Sequence, residues 1–431
     1  NFPNWNPKHF LDVGEMSLGV ALAIDWTQNN LPKSTIELAK KSLLDKALNR
    51  TWNKKGKVWG ISKLKNNWNQ VCQGGIVAAA LAVSDENPEL ASKTIHRALN
   101  TLPNALKAYA PNGAYPEGST YWKYATSYSV VTIAMLESAF GTDFNHSKSP
   151  GFMDSALFRT LSNSHSEQTY NYFDCELNRQ KNGDETLAWF ATKTGNKSFF
   201  EEDRFLRNPK EMGKLFRFYG IAMSWIVIFK SDENNYYLGC KGGKAGVSHG
   251  NMDAGSFVFD LNGVRWSLDL PRQDYHKIEK TGFHLWSNDQ NSDRWKLITK
   301  NNYGHSTITI NNKKFINTAF APLIDFKEDK TPSATYDLTT IYGENIKKST
   351  RTFTKDSNKS LLINDSFTAS KNTKTITWQL ITTADVEITE FGAILSKDGK
   401  KLKLENLSHP KIPIKIVSLN QVKYQSEYLN N

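Results

Sequence analysis

The sequence predicts an α-then-β chain, with stacked helical hairpins to about residue 215 and layered antiparallel β-sheet from 216 to 431. Three observations predict it. Apolar residues recur at helical spacing in one segment after another of the first half. From about residue 216 the texture changes to short, β-rich, often alternating runs. No long helical pattern interrupts that second half, and strands joined without crossover helices pair antiparallel.

In chain order, residues 12–29 and 34–48 carry an apolar stripe of helical period. Residues 76–83 (IVAAALAV) are apolar on nearly every side, which predicts a buried helix. Residues 88–109 and 127–140 repeat the helical style, with Pro and Gly in the gaps. Strands are expected at 236–238, 256–261, 264–270, 306–310, 349–354, 360–363 and 374–380. The pairs Asn262-Gly263 and Asn311-Asn312 are turn signals between strands. The run 220–229 (GIAMSWIVIF) is strand-like, far short of the ~20 residues of a membrane span. A groove is expected where the helical and β parts meet, a common place for a ligand.

Composition narrows the partner. The formal net charge is +11, which favours a polyanion. The basic residues are spread along the chain with no arginine-rich tail or nucleic-acid motif, so an acidic polysaccharide fits better than nucleic acid. Twelve Trp suit a protein that stacks flat ligands such as sugar rings. Cys72, Cys175 and Cys240 lie far apart, which excludes a zinc knuckle or a disulfide-built scaffold. The chain begins at Asn1 without Met, so a removed leader is expected; oligomeric state is not legible.

Three segments are candidates for chemistry. In KNNWNQVCQGG (65–75), Asn66, Asn67 and Asn69 surround Trp68 just before the apolar helix. They are good helix caps, or amide donors aimed into a cleft. In AYPEGSTYWKYATSY (114–128), a helix starting near Ser119 puts Tyr121, Tyr124 and Tyr128 on one face. A core stripe is the plain alternative, yet three buried phenols need three hydrogen-bond partners, and a wet cleft supplies them. In VSHGNMDAGSFVF (247–259), a lone His249 stands among small and polar residues before a strand. Asp269 and His305, from RWSLD and YGHST, are further polar points at strand ends.

Together these segments resemble the heparinase II/III-like polysaccharide lyases. The resemblance rests on NNWNQVCQGG, on YPEGSTYWKYATSY followed by LESAFGTDF, and on SHGNMDAGSFVFDLNGVRWSLDL followed by NNYGHSTITINN, in the family's order over most of residues 1–320. It implies an incomplete (α/α) toroid over residues 1–215 and a layered antiparallel β-sandwich domain over 216–431. It implies a carbon–oxygen lyase that cleaves a uronic-acid-containing glycan, glycosaminoglycan or alginate among the possibilities, by β-elimination, with no cofactor required for the chemistry. Such an enzyme is bacterial and periplasmic or secreted. Asn67 matches the asparagine that faces the substrate carboxylate. Tyr121, with Tyr124 the close second, matches the tyrosine that exchanges protons at the scissile bond. His249 matches the histidine of the β part, as base or as an aid to neutralising the carboxylate. Trp68, Glu117 and Arg294 are assigned to substrate binding, although a helix-capping role is favoured for Glu117.

Two departures matter. Trp68 stands where several members place a histidine, so a tyrosine must act as base, acid or both. Asn251 stands where many relatives carry the first metal-ligating histidine, and Asp269 and His305 match the other two ligands of a structural zinc or similar divalent ion. An amide oxygen is a poor zinc ligand beside imidazole; an Asp269–His305 hydrogen bond without an ion is the plain alternative. Two other functions stay open, a non-catalytic glycan-binding protein on this fold and a glycoside hydrolase. The hydrolase needs paired carboxylates, and these segments offer few acids beyond Glu117 and Asp253.

Overall fold

The structure, a computed structural model, describes residues 3–52, 57–178, 184–199, 215–218 and 226–419. Helices occupy its first part and antiparallel sheets its second. By its contacts the chain divides into two compact units. One comprises Asn1–Tyr115, Tyr121–Leu157 and Asp184–Phe200; the other comprises Pro116–Thr120, Phe158–Gly183 and Glu201–Asn431.

The helices are α1 (Phe10–Thr27), α2 (Lys33–Leu43), α3 (Asn49–Trp52), α4 (Asn67–Ala82), α5 (Pro88–Thr101), α6 (Pro103–Leu106), α7 (Ser119–Phe140), α8 (Ser155–Leu161), α9 (Glu185–Thr194) and the short α10 (Tyr275–Glu279). In the helical unit α4 is the axis. It is buried almost along its whole length, as its all-round apolar sequence requires. It starts nine residues before the run at Ile76 because Gln70 and Gln73 are buried polar members. Gln70 Nε2 donates to Tyr109 Oη and Ser129 Oγ, both at 2.9 Å. α1 crosses α4 at two glycines. A Cβ on Gly75 would stand 2.0 Å from the Gly14 carbonyl oxygen, so no larger residue fits at that crossing.

In the β unit, β1 (Leu215–Phe218), β2 (Ile226–Ser231), β3 (Tyr236–Lys241), β4 (Phe257–Leu261) and β5 (Val264–Ser267) form an antiparallel meander. A second sheet has the order β10-β9-β8-β7, with β7 (Leu323–Lys327), β8 (Ser333–Asp337), β9 (Ile346–Ser357) and β10 (Ser360–Ala369). β6 (Ile308–Ile310) pairs with β11 (Ile376–Trp378), and β12 (Asp385–Thr389), β13 (Gly392–Lys397) and β14 (Lys400–Glu405) form a third meander. One apolar core runs from Val227 to Leu395 through these sheets.

Asn262 and Gly263, with φ of 55° and 77°, make the tight hairpin between β4 and β5. Asn311 and Asn312 also adopt positive φ, but the strand before them pairs with β11, so this turn joins no hairpin. The first six residues of the run 220–229 lie outside the described residues, as do residues 200–214, which adjoin the expected boundary at 215/216.

One expectation is corrected. The stretch 162–178 is not helical and belongs to the β unit. It covers the outer face of the meander. Tyr237 Oη donates to the Leu161 carbonyl at 2.9 Å, Lys230 Nζ to the Asn163 carbonyl at 2.8 Å, and Arg265 Nη1 to the Thr169 carbonyl at 3.2 Å. Gly239 leaves room for Tyr170, whose ring would stand 2.7 Å from a Cβ there. β2 and β3 are therefore buried on both faces, and the cover carries Asp174 with it.

Candidate active site

In the helical unit, α4 opens on the predicted asparagines. Asn66 is the N-cap residue, yet its side chain makes no capping bond. Asn69 is structural: its Nδ2 donates to the carbonyls of Ser62, Leu64 and Thr101 at 3.3, 3.0 and 3.1 Å. Asn67 is buried, and its Oδ1 has no hydrogen-bond partner. Trp68 packs beside the core, edge-on to His9 at 5.0 Å. On α7 Tyr124 and Tyr128 are in T-shaped contact at 5.8 Å. Tyr124 Oη donates to Glu15 Oε1 at 2.5 Å. Burial and that carboxylate push the Tyr124 phenol far above its ordinary range. Its proton is committed to Glu15.

In the β unit, the loop between β3 and β4 presents His249. Its φ is +56°, a left-handed conformation uncommon for a residue with a side chain. A Cβ on Gly250 would stand 2.3 Å from the Ala245 carbonyl oxygen, so Gly250 lets the loop close on itself rather than opening a path to ligand. The His249 Nδ1 lies 3.1 Å from Asp174 Oδ2 and 3.2 Å from Tyr275 Oη. The other oxygen of Asp174 pairs with Lys300 Nζ, and both side chains are buried, 1% and 3% exposed. An ionised carboxylate only accepts, so the proton between His249 and Asp174 sits on Nδ1 and the lone pair on Nε2. Burial holds the imidazole down to about 4; Glu117 opposes this, and Arg294 and Arg272 add to it. Burial also pulls the Lys300 ammonium down to about 7.

Asp174, Lys300 and Tyr275 were not legible as site residues. Asp174 stands in a stretch without periodicity, and only the cover over the meander brings it to His249. A carboxylate one hydrogen bond behind a histidine leaves no mark in sequence spacing.

Glu117 is the second surprise. It is 4% exposed, and neither carboxylate oxygen has a hydrogen-bond partner, so it caps nothing. Gly118, at φ +85°, seats this segment against Cys175, whose Sγ lies 3.5 Å from the Glu117 carbonyl oxygen. Burial raises the Glu117 carboxyl from 4.5 to about 7, with His249 opposing. Between those two values the folded protein binds more protons than the unfolded chain, so this group's contribution falls as pH rises and is fully unfavourable above 7. Glu117→Gln is therefore expected to gain up to about 3 kcal/mol over wild type at pH 8 and nothing at pH 4. Denaturant titrations at the two pH values check this; equal stability at pH 8 would refute it.

Arg294 is buried rather than presented to solvent. It donates to the Gly250 carbonyl and, at 3.2 Å, to Asn288 Oδ1, and so braces the His249 loop. Behind the loop lies a buried polar cluster. His305 Nδ1 is 2.7 Å from Asp269 Oδ1, and Lys241 pairs with Asp253 at 2.5 Å. His305 Nε2, Asp269 Oδ2 and Asn251 Oδ1 are all buried without a hydrogen-bond partner. Those are the three donors expected of the metal site, one imidazole nitrogen and two oxygens. Among the described residues no group of three or more His, Cys, Asp or Glu gathers as ligands, so the third donor has to be the Asn251 amide.

Residues 219–416 match the family model for the heparinase II/III-like C-terminal domain. The fold is similar to the crystal structure of a heparinase III, with a TM-score of 0.67 and 12% identity over 90% of this chain and 60% of that one. A second heparinase III structure gives 0.66 and 13%, over 93% and 60%. The heparan sulfate lyase of Pedobacter heparinus gives 0.58 and 14%, over 93% and 64%. The chain thus spans between 60% and 64% of the length of these structures. No curated protein matches the sequence.

Proposed function

We propose that this chain, whose residues 219–416 match the heparinase II/III-like C-terminal family model, is a polysaccharide lyase that cleaves a uronic-acid-containing glycan by β-elimination. The observation that carries the reading is the buried Lys300–Asp174–His249 relay. It holds an imidazole with its lone pair on Nε2, at a residue whose backbone is kept in an unfavourable conformation.

The chemistry removes the proton on C5, α to the carboxylate, and expels the oxygen on C4. In this reading His249 Nε2 takes the C5 proton, the C4–O bond breaks as the C4=C5 double bond forms, and the Tyr121 phenol gives its proton to the departing oxygen. The resulting imidazolium and phenolate reset by exchange with water. The Asn67 amide holds the substrate carboxylate, whose charge grows toward an enolate in the transition state. Tyr121 is the first choice and Tyr124 the close second, since both follow the Glu117-Gly118 element that matches the family; the Tyr124 proton is donated to Glu15. The helical part is taken as the incomplete (α/α) toroid of such enzymes. The net charge of +11 suits an acidic polymer. A periplasmic or secreted bacterial location goes with that substrate; no described helix is long and apolar enough to cross a membrane.

The test is a screen of heparan-type glycans, other glycosaminoglycans, alginate and glucuronan for ultraviolet absorbance of the unsaturated uronate. Absorbance with any of them supports the lyase. Binding without absorbance makes the chain a glycan-binding protein on this fold, and sinks the proposed chemistry.

For the buried cluster we propose a structural divalent ion held by Asn251, Asp269 and His305. The donor bond from His305 Nδ1 to Asp269 leaves Nε2 as the ligating nitrogen. The ion would supply a fixed positive charge that ties the His249 loop to the sheet. Chelation is then expected to lower the melting temperature while elemental analysis of the untreated protein finds one equivalent of metal. A metal-free preparation with an unchanged melting temperature rules the ion out and leaves a plain Asp269–His305 pair.

A further inference from the structure

Trp286 is a large apolar side chain left 47% exposed, which leaves apolar surface in water that burial would otherwise remove. It is nevertheless fixed. Its indole Nε1 donates to Glu279 Oε1 at 2.6 Å. Its ring stands edge-on to His249 at 5.5 Å and to Tyr275 at 4.9 Å. The Arg272 guanidinium lies over the Tyr275 ring at 5.2 Å. A half-bare indole locked in one orientation is a preorganised flat surface, and an exposed aromatic ring with a tethered polar edge suits a partner that is apolar on its face and polar at its rim. A pyranose ring has that make-up, with C–H bonds on its faces and hydroxyls around its edge.

We propose that Trp286, Tyr275 and Arg272 form a sugar subsite beside His249, in which one ring of an anionic glycan stacks on the indole while its carboxylate or sulfate meets Arg272. Charge complementarity selects the anionic sugar over a neutral one. Arg272 and Arg294 both place positive potential at His249. Arg272 is paired with Glu176 at 2.6 Å, but both partners are partly exposed. A surface pair of this kind is worth about 0–1 kcal/mol, so a ligand anion competes for the guanidinium at little cost. The proposal rests on the lyase reading for its substrate class, and on the geometry around Trp286 for its location.

The experiment is calorimetric titration of a size-defined glucuronate tetramer and its carboxyl-reduced counterpart, in the Tyr121→Phe background so that the sugar stays intact. Adding Trp286→Ala is expected to weaken binding of both sugars about tenfold. Trp286→Phe, which keeps a flat ring, should stay within about threefold. Arg272→Ala should weaken the charged tetramer and leave the reduced one unchanged. The indole N–H signal of Trp286, assigned by its loss in Trp286→Phe, should shift on adding the tetramer. Unchanged affinity in Trp286→Ala with no shift of that signal overturns the subsite, even if the enzyme is a lyase. Binding that depends on Trp286 without turnover by the native protein keeps the subsite and discards the lyase. No binding of either sugar discards both.

Discussion

His249→Ala is expected to be folded and to lose about 10³-fold in kcat/KM, the share of a positioned general base. That loss corresponds to about 4 kcal/mol of transition-state stabilisation. The structure separates this from a packing effect. At φ +56° the backbone of residue 249 is in the region that glycine tolerates and alanine resists. His249→Gly should therefore be at least as stable as His249→Ala, by about 1 kcal/mol, and equally inactive. A residue kept for packing would behave in the opposite way, since glycine would remove the side chain and loosen the loop as well. Steady-state kinetics and thermal melts of the two variants decide. Substantial activity in His249→Gly would sink the assignment of the imidazole as base, and a lower stability than His249→Ala would show that the strained backbone is not what the side chain holds in place.

How much of this was legible in the sequence depends on the range of the interaction. The buried helix followed from a local pattern, the all-round apolar run at 76–83, and so did the β4–β5 hairpin at Asn262-Gly263. His249 was singled out by a local signal too, a histidine in a small-residue loop before a strand, and the structure sets Asp174 and Tyr275 beside its Nδ1. Strands β7, β8 and β12 to β14 were missed. They carry Lys, Asp and Glu on half-exposed faces, and their pairing is settled by neighbours far along the chain. Asp174 and Lys300 were missed for the same reason in sharper form, since Lys300 lies 126 positions from Asp174 in the sequence and only the fold joins them. Arg294 and Glu117 were assigned to substrate binding, with a helix cap favoured for Glu117, because charged residues seldom go inside. One is buried bracing a loop and the other is buried without a hydrogen-bond partner, and neither state leaves a trace in residue spacing.

Tyr121→Phe is expected to lower turnover by at least ~10²-fold with the fold intact, because the phenol proton is what the leaving oxygen needs. The change removes one oxygen and keeps the ring, so packing on α7 is preserved. The discriminating control is Tyr124, three residues on and on the same helical face. Tyr124→Phe removes the 2.5 Å hydrogen bond to Glu15 and is expected to cost about 1 kcal/mol of stability. Turnover should stay close to wild type, because a phenol already donating to a carboxylate and pushed far above its ordinary range is a poor acid at neutral pH. The binding constant for an intact oligouronate should hardly move in Tyr121→Phe, since the lost interaction is made in the transition state and not in the ground state. An active Tyr121→Phe beside a dead Tyr124→Phe would transfer the role to Tyr124 and require Glu15 to relay the proton. Full activity in both would end the tyrosine mechanism, and the proton for the leaving oxygen would then have to come from elsewhere, with Glu117 as the acid to test next, since its carboxyl is held near 7 and carries a proton about half the time at neutral pH.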